Sequence, residues 1–163
     1  MKNNNVKSGR IVIFAGGILA GIVITLIILI AILKQQMFVV YESKFDFDKT
    51  VSTITESAED HKWSVQHSYD IQASLDKHGY TVQPVKVFSL CKPEHASKIL
   101  VSGEERIVSA LMPCRISVFE DNGTVYISML NSGLFSRFLG KEIKNVMGKA
   151  SSENKQILEP VIK

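Results

Sequence analysis

Few residues of this chain are equipped for covalent chemistry. Two cysteines, one tryptophan and four prolines occur in 163 residues, and there is no CxxC pair, HExxH helix motif, GxSxG elbow or glycine-rich phosphate loop. These absences argue against zinc-ribbon, zincin, α/β-hydrolase and P-loop chemistry, each of which needs its residues at fixed spacing. No pair of carboxylates reads as an acid/base couple: Asp46 and Asp48 are helix-start acids, and Glu104 and Glu105 fit a solvated turn. No cofactor is expected. A low-complexity linker, an internal repeat and a Pro/Gly-rich hinge are also missing, which leaves room for one domain of ordinary size.

Charge of one sign is scarce as well. Of the 19 basic residues, Lys2, Lys7 and Arg10 precede a long apolar run, which leaves 16 to balance the 16 acidic residues that follow it. A nucleic-acid partner is not expected, because it would need a clustered basic surface.

What the chain does have is that run. Residues 11–33, IVIFAGGILAGIVITLIILIAIL, hold no charge and as a helix are long enough to cross roughly 30 Å of hydrocarbon. A cleaved signal peptide has a shorter apolar stretch ending in a small-residue site, whereas this one ends in ILKQQMF. The preferred reading is an uncleaved signal anchor, with residues 1–10 as a cytoplasmic flank. Three basic residues before the run, against Lys34 alone close behind it, place the N-terminus inside. The C-terminal part would then lie outside the cytoplasmic (inner) membrane, in the periplasm or beyond the cell.

The outside part starts almost at once. MFVVYES, residues 37–43, is β-branched and aromatic as a strand should be. Phe47, Val51, Ile54 and Ala58 follow at helical spacing behind Asp46, a good N-cap. Trp63, Val65, His67, Tyr69 and Ile71 alternate with polar residues, predicting a strand with one common face. A short helix ending near Gly79, a strand over 85–91 and a helix opened by Pro93 come next.

Asn122-Gly123 separates two alternating runs and predicts a two-residue hairpin, since both residues tolerate positive φ. Counting outward from the turn pairs Phe119 with Tyr126, Val118 with Ile127, Ile116 with Met129 and Cys114 with Asn131. Ile116, Val118, Val125, Ile127 and Met129 then form a core face, while Phe119 and Tyr126 point away beside Arg115. Apolar residues from Leu134 to Leu158 predict a C-terminal helical region stopped by Pro160. The expected fold class is α+β: one two-layer domain over residues 37–158, a mostly antiparallel sheet with helices on one face, and a tail at 159–163. Phe119, Tyr126 and Arg115 are the candidate interface, because a monomeric two-layer domain does not explain an outer aromatic pair.

MFVVYESKFDFDKTVSTITESAEDHKW, VKVFSLCKPEHA and LMPCRISVFEDNG together resemble the domain of unknown function 302 (DUF 302) family, from about Met37 to Leu158. That family carries a Cys-Asn-Pro segment and a Leu-Pro-Cys-Arg-Val strand. The resemblance implies a compact α+β domain that tends to form homodimers, and it points to no particular reaction. One departure is informative: Lys92 stands where the family has asparagine, and lysine is a poor N-cap.

The remaining candidates are Cys91 and Cys114. A small buried hydrophobe at a strand end is the first reading of Cys91; a Cys91–Cys114 disulfide, which fits an oxidising compartment, is the second; a reactive thiol is the third, since Cys91 precedes a helix N-terminus and adjoins Lys92, which favours a thiolate. A metal site would draw on Cys91, His95 and Cys114, but Cys-x3-His is not a paired-ligand signature and no metal is expected. Two functional readings of different class follow. One is a non-enzymatic, dimeric binding module; the other is a thiol-dependent redox or sulfur-handling protein using Cys91 and Cys114.

Overall fold

The computed structural model describes residues 4–101 and 103–163. Lys2, part of the charge argument above, lies outside them. The chain divides after Met37 into two units. The first is helix α1, Asn4–Gln36; its stretch Phe14–Leu33 is 20 residues long and apolar enough to cross a membrane.

The second unit is an α+β domain. Its strands are β1 (Phe38–Glu42), β2 (Ser64–Asp70), β3 (Val85–Cys91), β4 (Cys114–Asp121) and β5 (Thr124–Leu130). They form one sheet in the order β1-β5-β4-β3-β2, and every neighbouring pair is antiparallel. The helices are α2 (Phe47–Asp60), α3 (Ile71–Asp76), α4 (Pro93–Leu100), α5 (Ser132–Phe135) and α6 (Lys141–Leu158). Short 3-10 helices at Glu105–Leu111 and Ser136–Phe138 complete the path.

Local chemistry explains several boundaries. Asp46 caps α2 by accepting from the Lys49 N–H at 2.8 Å, which satisfies a donor that has no partner inside the helix. Asn122 and Gly123 adopt φ of 50° and 80°, as a type I′ turn demands. The hairpin register follows from it, with Phe119 opposite Tyr126, Val118 opposite Ile127 and Ile116 opposite Met129.

The core lies on one face of the sheet. Phe88, Leu90, Ile116, Val118, Ile127 and Met129 pack there against Ile54 and Ala58 of α2 and Ala150, Ile157 and Leu158 of α6. A smaller cluster, Ile99, Val108, Ile143 and Val146, joins α4, the first 3-10 helix and α6.

Three expectations are corrected. The face expected to run from Trp63 to Ile71 is broken by a bulge: Val65 pairs with Leu90 but His67 pairs with Ser89, leaving Gln66 as the extra residue. An extra residue reverses the alternation, so Trp63 and Val65 reach the core while His67 and Tyr69 lie on the other face. Ile71 has left the strand to open α3, which Asp70 caps. The β4–β5 ladder ends at Ile116 and Met129, short of the expected Cys114–Asn131 pair; Cys114 pairs with Leu90 on its β3 side, and Asn131 caps α5 through a bond from the Leu134 N–H. Finally, residues 159–163 are no tail. Val161 is fully buried in the main core, and Ile162 bridges to Ser43.

Candidate functional site

Glu153, on α6, is the centre of the polar cluster beneath the sheet end. Its Oε2 accepts from Trp63 Nε1 at 2.9 Å and from Lys92 Nζ at 2.8 Å. His95 Nε2 lies 3.1 Å from the same oxygen, outside good hydrogen-bond alignment, and His95 Nδ1 is buried without a partner. The Trp63 and His95 rings are tilted against each other, with centroids 5.8 Å apart. Burial acts to raise the Glu153 carboxyl, but hydrogen bonds from Lys92 and Trp63, with His95 beside them, outweigh it and hold the carboxyl below the ordinary glutamate value.

Lys92 has therefore exchanged one role for another. It begins α4 without a side-chain capping bond, as its identity predicts, and sends its ammonium to Glu153 and to the His61 carbonyl at 3.4 Å.

Next to this cluster is a cavity of about 360 Å³. Cys91, Cys114, His95, Lys92, Arg115 and Asn154 all contribute to its lining, so the structure does bring the expected chemical residues to one place. They do not assemble the expected chemistry. Both cysteines are free thiols. Because Leu90 pairs with Cys114, Cys91 is one residue beyond that pair, and alternation along β3 turns it to the opposite side. Burial pushes the Cys114 thiol up, only partly opposed by a hydrogen bond from Asn154, and the nearby Cys91 raises it further. A thiol in that environment is a poor nucleophile. Among the described residues, no group of three or more His, Cys, Asp or Glu side chains is placed to hold a metal ion.

The interface candidates Phe119 and Tyr126 lie elsewhere, on the sheet face away from the helices. Phe119 and Tyr126 stack there with centroids 5.5 Å apart and planes 25° apart. The bulge in β2 adds His67 and Tyr69 to this face, edge to face at 4.4 Å. Phe38 and Val40 from β1 complete it, each more than half exposed. Arg115 belongs to this face too, opposite Ser89, whose buried hydroxyl has no partner.

Sequence reasoning missed Glu153, Asn154 and the role of Lys92. A signal did exist: Ala150, Glu153, Asn154 and Ile157 share the i, i+3, i+4, i+7 stripe of α6. Two polar residues on an otherwise apolar stripe call for buried partners: Glu153 has Trp63 and Lys92, while Asn154 reaches Cys114 but leaves its Oδ1 unpaired.

The family model described as Domain of unknown function DUF302 matches residues 39–161. The chain belongs to the DUF302 family. No curated protein matches it. Among solved structures it is similar to an uncharacterized conserved DUF302 protein from Bacillus stearothermophilus, at a TM-score of 0.69 and 18% identity, covering 76% of this chain and 96% of that one. At that identity the likeness carries the fold alone, and it agrees with the α+β sheet described above.

Proposed function

We propose that this DUF302 chain is a single-pass protein of the cytoplasmic membrane, anchored by α1 with its N-terminus inside. Its DUF302 domain then lies outside, as a non-enzymatic binding module that pairs with a second copy. The observation that supports this most is the outer sheet face: Phe119 stacks on Tyr126, Tyr69 joins them through the β2 bulge, and Phe38 and Val40 stay open to solvent. Aromatic and apolar residues on an outer sheet face suit an interaction surface, and a two-fold pair would set the same patch against itself.

Catalysis is disfavoured by the cavity's own groups. Lys92 and Glu153 neutralise each other, and the Cys114 thiol is held in its protonated form.

The test is the mass of the full-length chain in density-matched detergent by sedimentation. The wild type should sediment as a dimer and Phe119→Ser/Tyr126→Ser as a folded monomer. An unchanged mass in the double variant would remove the dimer assignment.

A further inference from the structure

The cavity has a definite place in the topology. Phe38 opens β1 and pairs with Leu130, the last residue of β5. Cys114 opens β4 and pairs with Leu90 near the end of β3. These residues mark one end of the sheet, and all four line the cavity. It is also the end at which the chain enters the domain. Only Met37 separates Phe38 from Gln36, the last residue of α1, a stretch of roughly 7 Å of extended backbone at most.

The cavity's interior is apolar, with Ile99, Val108, Met129, Val146 and Ala150 among its buried walls. At its rim, Phe38 and Leu111 are 56% and 43% exposed. Single exposed apolar residues are ordinary, but both of these line one largely apolar cavity. Its volume falls within the roughly 300–1,000 Å³ of small-molecule sites. The one ammonium on its wall, that of Lys92, is already paired with Glu153.

We infer that the cavity takes up an acyl chain of a lipid from the bilayer that holds α1. This inference rests on the membrane reading above. An apolar chain is concentrated in the membrane and scarce in water, and a single residue, Met37, connects the domain to the apolar helix. Polar groups are the minority of the lining, with His95, Arg115 and Asn154 set among mostly apolar side chains.

Trp63 provides the readout, being the chain's single tryptophan and part of the cavity wall. The full-length chain is reconstituted into phosphatidylcholine vesicles with plain or brominated acyl chains, and flotation and Trp63 emission are both recorded. Flotation with emission reduced by more than half in brominated vesicles is the expected result. Ala110→Phe should relieve the quenching with an unchanged circular dichroism spectrum, since Ala110 lines the cavity and is exposed. Ala96→Leu, narrowing the cavity from α4, should act in the same direction.

Flotation without quenching would overturn the acyl-chain inference and leave the anchor standing. Quenching that neither variant relieves would also overturn it, since bromine would then be reaching Trp63 from outside the cavity. Failure to float would overturn the anchor and the inference with it.

Discussion

Lys92 Nζ and Glu153 Oε2 stand 2.8 Å apart, so the residue that begins α4 is tied to α6 and leaves its own helix uncapped. Both side chains are largely buried, at 17% and 26% exposure, and Glu153 without its cation keeps a desolvated charge. Lys92→Met should therefore destabilise the domain by about 1–2 kcal/mol, between the values for exposed and fully buried pairs. Lys92→Asn loses the same pair but gains a capping side chain, which returns about 1 kcal/mol. Urea unfolding of the two variants is the check. If asparagine is no milder than methionine, the capping argument fails.

Acid should act through the same carboxylate. Glu153 ionises below the ordinary value of 4.5 in the folded chain because its donors outweigh burial. A group depressed on folding contributes stability above its unfolded pKa and loses it as pH falls through its folded pKa. The thermal midpoint should thus hold near neutrality and decline in the acid range below that value. Glu153→Gln should lower the neutral midpoint and flatten the decline. Some slope must survive, since Asp70, bonded to the Ala73 N–H, and Glu94, paired with Lys98, are also depressed. A decline as steep in Glu153→Gln as in the wild type would remove Glu153 from the account.

How much of this was legible in the sequence depends on the range of each interaction. The Asp46 cap, the Asn122-Gly123 turn and the hairpin core face are decided within a few residues, and each was readable. The Lys92–Glu153 contact spans 61 positions and appears only when α4 meets α6. Gln66 is a different case: Trp63 to Tyr69 alternates without a flaw, so nothing local marks the bulge. Trp63 must reach the core, and across the bulge His67 then pairs with Ser89 on the outer face.

Cys114 offers a chemical test of its surroundings. Burial raises its thiol, and Asn154 opposes that by donating a hydrogen bond. Alkylation of Cys114 in the native domain should be slower than in the urea-unfolded chain, with peptide mass spectrometry separating it from Cys91. Asn154→Ala removes the donor that favours the thiolate, so native Cys114 should become slower still at fixed pH. Faster reaction in that variant would mean that access, and not ionisation, limits the thiol.

The last residues of the chain bear on where the domain ends. Val161 is fully buried in the main core, its carbonyl accepts the Lys44 N–H at 2.9 Å, and Ile162 bridges to Ser43. Ser43 is itself fixed by a hydroxyl pair with Thr50 at 2.6 Å, so the C-terminus closes the corner between β1 and α2. Val161→Ala deletes two carbons at a site with no solvent to refill it and should cost about 2 kcal/mol. Lys163→Ala removes only an exposed ion pair with Glu42 and should cost well under 1 kcal/mol. Denaturant midpoints of the two variants, compared at equal slope, decide the matter. A neutral Val161→Ala would return residues 159–163 to the status of an appendage and put the domain's end at Leu158.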